Sequence, residues 1–229
     1  VSLLFAPYGL APVAHESGIV RPAFGSGGGQ PLGGYTIASG YANNIFLNSP
    51  IGIDTVTPTS NIVLIAAQGA SVATPTLANK LLGSFQGVEF TLATGRRTVS
   101  NFWPASTVPF AGSQTVAWIT RDPRIRYQIQ ANGPIAATPT SAIPSMGSLA
   151  SFTANGSANG NATTGFSTVA LDTTAGNFTN TATANPTFLN QLRIVGFAQQ
   201  IDNNPGDAFT QVIVEIALHQ DLPLPGVAY

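Results

Sequence analysis

Two histidines, His15 and His219, nine carboxylates and eight basic side chains are what this 229-residue chain offers for acid–base chemistry, and it has no cysteine. A Ser-His-Asp triad needs an imidazole held between a nucleophile and a buried acid. His15 falls in a Pro- and Gly-rich stretch, His219 falls at the end of a candidate strand, and no Gly-x-Ser-x-Gly elbow is present. An exposed polar histidine is therefore the expectation over a catalytic one. The run Gly25-Ser26-Gly27-Gly28-Gly29 lacks the Gly-Lys-Ser/Thr ending whose lysine reaches the distal phosphates of a nucleotide, so it reads as a flexible loop. The stretch Asp202-Asn203-Asn204-Pro205-Gly206-Asp207 crowds oxygen ligands around a glycine, as calcium prefers. It omits the following bidentate Glu, however, and it spells a tight turn, which is the expectation. Without cysteine there is no thiolate nucleophile, no disulfide and no Cys-based zinc site. A non-enzymatic chain with no cofactor and no metal is expected.

The arginines carry a different chemistry. A guanidinium presents a planar fork that grips carboxylates two bonds at a time. Arg96 and Arg97 follow Gly95, and Arg121, Arg124 and Arg126 cluster further on; either group could meet acidic side chains of a partner, or simply solvate the start of a strand. Trp103 and Trp118 lie in strand-like contexts and read as core residues rather than ligand platforms. Three Asn-x-Ser/Thr triplets begin at Asn155, Asn161 and Asn177, and a chain this rich in Ser, Thr and Asn produces them without glycosylation.

The elements that must position these groups are written in the composition. Only 7% of the residues are charged and 44% are hydrophobic, with net charge −1. Soluble domains are about 25% charged, so this surface is wetted by amides and hydroxyls or is covered by other protein. The basic residues form no continuous patch, which argues against nucleic acid as a partner. No apolar run approaches the ~20 residues of a membrane-spanning helix, and the apolar opening Val1-Ser2-Leu3-Leu4-Phe5-Ala6 lacks the basic start of a signal peptide; no membrane association is expected.

Gly, Pro and Asn interrupt the chain too often for long helices, while β-branched and aromatic residues gather in short runs between them. Within 124–130, Ile125, Tyr127 and Ile129 point one way and Arg124, Arg126, Gln128 and Gln130 the other, the period of a half-buried strand. In 211–218, Val212, Val214, Ile216 and Leu218 alternate with a less polar set, predicting a strand whose second face is partly covered. Further strands are predicted within 35–41, 44–53, 61–67, 81–93, 97–103, 114–121 and 189–201. With no helical crossovers between them, seven to ten short strands fit one all-β domain, a single β-sandwich or barrel-like fold.

Three segments stand apart. Residues 1–34 read as an extended Gly/Pro-rich arm unable to bury enough surface to fold alone. The β domain spans 35–220 and contains a loop-rich excursion over about 131–188, anchored by Phe152, Phe166, Val169, Leu171 and Phe178. Residues 221–229 form an apolar tail with Leu222, Leu224 and Tyr229.

Several segments have a familiar order. Gly87-Val88-Glu89-Phe90-Thr91 followed by Gly95-Arg96-Arg97-Thr98-Val99-Ser100-Asn101-Phe102-Trp103-Pro104-Ala105 resembles a stretch of the head decoration, or cement, proteins of tailed bacteriophages. Trp118-Ile119, Arg121-Asp122-Pro123 and Tyr127-Gln128-Ile129-Gln130-Ala131-Asn132-Gly133 are similar to that family's next segment. Thr163-Thr164-Gly165-Phe166-Ser167, Leu171-Asp172, Leu192-Arg193-Ile194-Val195-Gly196, Asp202-Asn203 and His219-Gln220 follow in the same order. The resemblance spans roughly 35–220.

It implies a structural virion protein on the outer surface of an icosahedral head, bridging neighbouring major capsid protein subunits, with no catalytic residue to carry over. It also implies self-association, with a trimer favoured by the three-fold positions of such a lattice. Contacts are expected in the arm, the excursion and the tail, and through Arg96, Arg97, Arg124, Arg126, Leu222, Leu224 and Tyr229. The alternative from the residues themselves is a β-sandwich glycan-binding adhesin, or another virion surface or tail component.

Overall fold

Alternation of apolar and polar side chains places most of the strands. The computed structural model describes residues 4–16, 35–55, 61–67, 79–138, 143–174, 178–179 and 190–222. The regular elements among them are all strands: β1 (Ala11–His15), β2 (Pro50–Ile53), β3 (Ile62–Leu64), β4 (Gly83–Thr91), β5 (Arg97–Ser100), β6 (Val116–Thr120), β7 (Ile125–Gln130), β8 (Leu149–Ala150), β9 (Phe178–Thr179), β10 (Leu192–Phe197) and β11 (Gln211–Ile216). They build two antiparallel sheets that pack together as a β-sandwich. One has six strands in the order β1-β7-β11-β10-β8-β9; the other has five, β3-β2-β4-β5 with β6 also paired to β4.

Each sheet gathers its own apolar cluster. Ile125, Tyr127 and Ile129 of β7, Val212, Val214 and Ile216 of β11, and Leu192 and Ile194 of β10 join Leu10, Phe152, Val169 and Leu171 in the first. Phe85, Val88 and Phe90 of β4 and Ala117 and Ile119 of β6 join Tyr35, Ile45 and Trp103 in the second, where Phe90 meets Trp103 edge to face at 5.0 Å. Burying each such large side chain stabilises the fold by about 1.5–3 kcal/mol.

Hydrogen bonds tie the two sheets together. The Ser84 hydroxyl of β4 donates to the Leu10 carbonyl at 2.7 Å, and the Thr120 hydroxyl of β6 lies 3.1 Å from the Tyr127 hydroxyl of β7. Burial pushes that phenol's pKa upward, so it stays a neutral hydrogen-bonding group. Gln191 donates from Nε2 to the carbonyls of Ala66 (3.0 Å) and Asn79 (2.8 Å).

Residues 4–16, expected in an extended arm, belong to the sandwich. β1 pairs with β7 at the edge of the six-stranded sheet, and Leu10 is fully buried. The physical reason is on β7: Gln130, predicted to face out, is only 2% exposed. Its side chain accepts from the Ala6 amide and donates to the Leu4 carbonyl, both near 2.8–2.9 Å. Residues 17–34 lie outside the described residues.

The excursion is likewise more integrated than a loop. Phe152, Val169 and Leu171 are core residues, Phe178 packs against the core, and bridges join Ala131 and Phe152 to Leu171. Phe166 is 42% exposed and anchors nothing of comparable depth. Over 35–47 the predicted strands reduce to isolated bridges such as Tyr35 to Ala117 and Ile45 to Trp103.

Candidate interaction surface

Among the described residues, four arginines stand in ion pairs with carboxylates of the same chain. On the five-stranded sheet, Arg97 of β5 pairs with Glu89 of β4, two positions from its direct cross-strand partner Thr91. Arg96 is exposed in the turn that Gly95 closes with φ +84°. On the six-stranded sheet the register sets Arg126 of β7 opposite Glu215 of β11, and Glu215 opposite Arg193 of β10. Arg193 forms the ion pair with Glu215, while Arg126 keeps a buried Nε with no hydrogen-bond partner among the described residues. Arg124 reaches Glu16 at 3.9 Å.

The site residues expected from sequence therefore separate into two places. Arg124 and Leu222 come together in an open cleft of about 430 Å³ that also contains Glu16, Arg193 and Glu215; Arg126 does not line it but stands opposite Glu215 in the ladder. Arg96 and Arg97 lie on the other sheet. Leu224 and Tyr229 fall outside the described residues.

Arg121 grips Asp221 with a two-point fork, 2.7 and 2.9 Å, and stands over the Tyr35 ring at 5.8 Å. That guanidinium holds the Asp221 carboxyl below the usual carboxylate range. His219, expected exposed, is 1% exposed. Bridging to Leu81 draws it into the join between the sheets, where its Nδ1 accepts from the Asp221 amide at 3.1 Å. Burial lowers its pKa, partly offset by the Asp221 carboxylate. Its ring is buried against the backbone of Leu82 and Arg121, and among the described residues no hydroxyl is presented to Nε2 as a nucleophile would be. His15 pairs with Asp122 at 3.3 Å.

The loop at 202–207 is a turn held by its own side chains. Asp207 Oδ2 accepts from the Asn204 amide at 2.9 Å, and Asn203 Nδ2 donates to the Ala198 and Gln211 carbonyls. Among the described residues no group of three or more His, Asp or Glu is arranged to hold a metal ion. Asn155 is committed to structure, donating to the carbonyls of Pro50 and Ile65 at 2.8 Å each. Trp103 is fully buried, whereas Trp118 is half-buried and lies over Gly87, where a Cβ would come 3.2 Å from its Cε3.

Sequence reasoning missed two features of this surface. One is a glutamine cluster in which Gln211 Oε1 accepts from Tyr8, Gln128 and Gln200 at 3.1, 2.6 and 3.2 Å; burial pushes the Tyr8 phenol up to about 12. The other is the outer edge of β5, where Val99 is 66% exposed. The edge could have been found from the hairpin signal of Gly95 and the alternation of 97–100. The cluster could not, because Tyr8 is remote in sequence from its partners. No protein-family model, curated protein or solved structure matches the chain.

Proposed function

We propose that this chain is a structural virion protein, a decoration or cement protein that sits on the outer face of a tailed-phage head and bridges major capsid protein subunits. The observation that carries the reading is a sparsely charged, partly self-neutralised surface: Arg97, Arg121 and Arg193 are each held by a carboxylate of the same chain and Arg124 lies near Glu16, so that amides, hydroxyls and scattered apolar groups make up most of what is offered for contact. Such a surface meets a protein neighbour without the desolvation cost of free charge. The sequence segments that resemble that family, collinear over roughly 35–220, support the same reading. A protein that binds only the assembled shell stabilises it by its binding free energy, repeated over many copies.

Imaging heads that carry this chain tests the proposal. The protein is expected to copurify with intact heads and to give density on their outer face, and heads lacking it should burst at lower temperature. Absence from heads, or density confined to a tail, overturns it. Trp118, half-buried over Gly87 on the five-stranded sheet, favours a glycan-binding adhesin as the second reading; saturable binding on a glycan array, abolished by Trp118→Ala, would establish that one instead.

A further inference from the structure

We infer that the β5 edge pairs with the β5 edge of a second copy, joining two five-stranded sheets across a two-fold axis at Thr98. This rests on the ladder and not on the virion reading. The Leu92 amide donates to the Arg96 carbonyl at 2.8 Å, which fixes the alternation of the β4–β5 ladder. With Phe90 opposite Thr98 and Val88 opposite Ser100, the amides and carbonyls of Thr98 and Ser100 face β4, and those of Arg97 and Val99 face away. Among the described residues none covers that outward row. The Arg97 side chain is 75% exposed and Val99 66%.

Proteins guard such edges with proline, bulges or inward charge. The opposite sheet is guarded in this way: its edge strand β1 carries Pro12 and a bulge between Pro12 and Ala14. β5 has no proline and its register with β4 runs without a shift; the one charge on its edge, Arg97, is paired with Glu89 of its own sheet.

The edge complements itself. In an antiparallel pairing centred on Thr98, Arg97 of one copy stands opposite Val99 of the other, and each such pair exchanges both backbone hydrogen bonds. No arginine then opposes an arginine. Across the joined sheets one row reads Glu89, Val99, then Arg97 and Thr91 of the second copy. The apolar stem of that arginine covers the exposed valine. Thr98 meets Thr98 as a non-hydrogen-bonded pair, about 4.5 Å between Cα atoms. This contact is isologous and closes as a dimer; a three-fold assembly would have to bring two different edges together. A short edge makes a small interface, in the weak class.

Sedimentation of the full chain from micromolar to millimolar concentration tests the pairing, with Val99→Pro as the variant. Proline removes the outward amide of Val99 and none of the β4–β5 hydrogen bonds, so the variant is expected to stay monomeric while the parent chain dimerises. A parent chain that remains monomeric at millimolar concentration, or a Val99→Pro chain that dimerises like the parent, overturns the inference. Amide exchange on the unmodified chain tests it without any variant. The amides of Arg97 and Val99 should gain protection as concentration rises while Thr98 is protected throughout; no gain at Arg97 and Val99 overturns it.

Discussion

At Gly83 the chain has no room for a side chain. A Cβ there would lie 1.5 Å from the Thr120 carbonyl oxygen, and that carbonyl belongs to β6, which is paired to β4 at this point. Because the obstacle is backbone, relief requires the two strands to part where Ser84 and Thr120 tie one sheet to the other. Gly83→Ala is expected to cost about 3 kcal/mol or more, in the class of overpacked core positions. Gly196 has nothing within 4 Å of its would-be Cβ, so Gly196→Ala should stay within about 0.5 kcal/mol. Urea unfolding of the two variants beside the parent chain measures both, and equal midpoints would contradict the close approach.

His219 gives the residue scale a pH dependence. Its folded-state pKa is lowered, chiefly by burial, so between that value and the ordinary ~6.5 the unfolded chain binds the proton more readily than the folded one. Stability from this group is therefore fully present above about pH 6.5 and is lost as pH falls below it. Protonation also ends the acceptance by Nδ1 of the Asp221 amide, loosening the turn that holds Asp221 against Arg121. The lowered pKa of Asp221 adds a second loss only in the more acidic range, through and below the normal carboxylate value. The urea midpoint should fall between pH 7.5 and pH 5.5 in the parent chain and change less over that interval in His219→Gln, whatever the variant's absolute stability.

Among the elements, β1 separates what composition suggests from what packing decides. Removing residues 1–16 would take away an edge strand, the fully buried Leu10 and the partners of Gln130 together. The shortened chain is expected to lose its cooperative unfolding transition, and Leu10→Ala alone to cost about 2–5 kcal/mol. A shortened chain with the parent's midpoint would restore the view of 1–16 as an arm. Sequence could not place β1, because Pro12 reads as a breaker and proline is tolerated on an edge strand. β7 and β11 were legible, since buried residues recur every second position over their length. β8 and β9 have two residues each, too few for any period. The ion pairs were hidden for a related reason: Glu16 and Arg124 are brought together by pairing of strands remote in sequence, and Arg193 and Glu215 by the register of two neighbouring strands whose alignment includes a shift. His219 lies past the end of the β11 alternation, so nothing in the spacing signalled its burial.

For the molecule as a whole, sparse charge and internal pairing have one consequence for association. A net charge of −1 produces little long-range field to steer a partner, and each paired arginine would have to give up its own carboxylate before serving another. Contacts made by amides, hydroxyls, apolar groups and an open strand edge are short-ranged, beyond the reach of ionic screening. Between about 0.1 M and 1 M sodium chloride the Debye length falls from ~10 Å to ~3 Å, and an interface built on free arginines would weaken steeply over that span. Binding of this chain to heads, and its own dimerisation through β5, are each expected to change by less than about threefold over the same span. Titration at the two salt concentrations decides the matter: a loss of about tenfold or more would mean that Arg97, Arg124 or Arg193 leaves its internal partner to hold an acidic neighbour, and that the surface is neutral only until it binds.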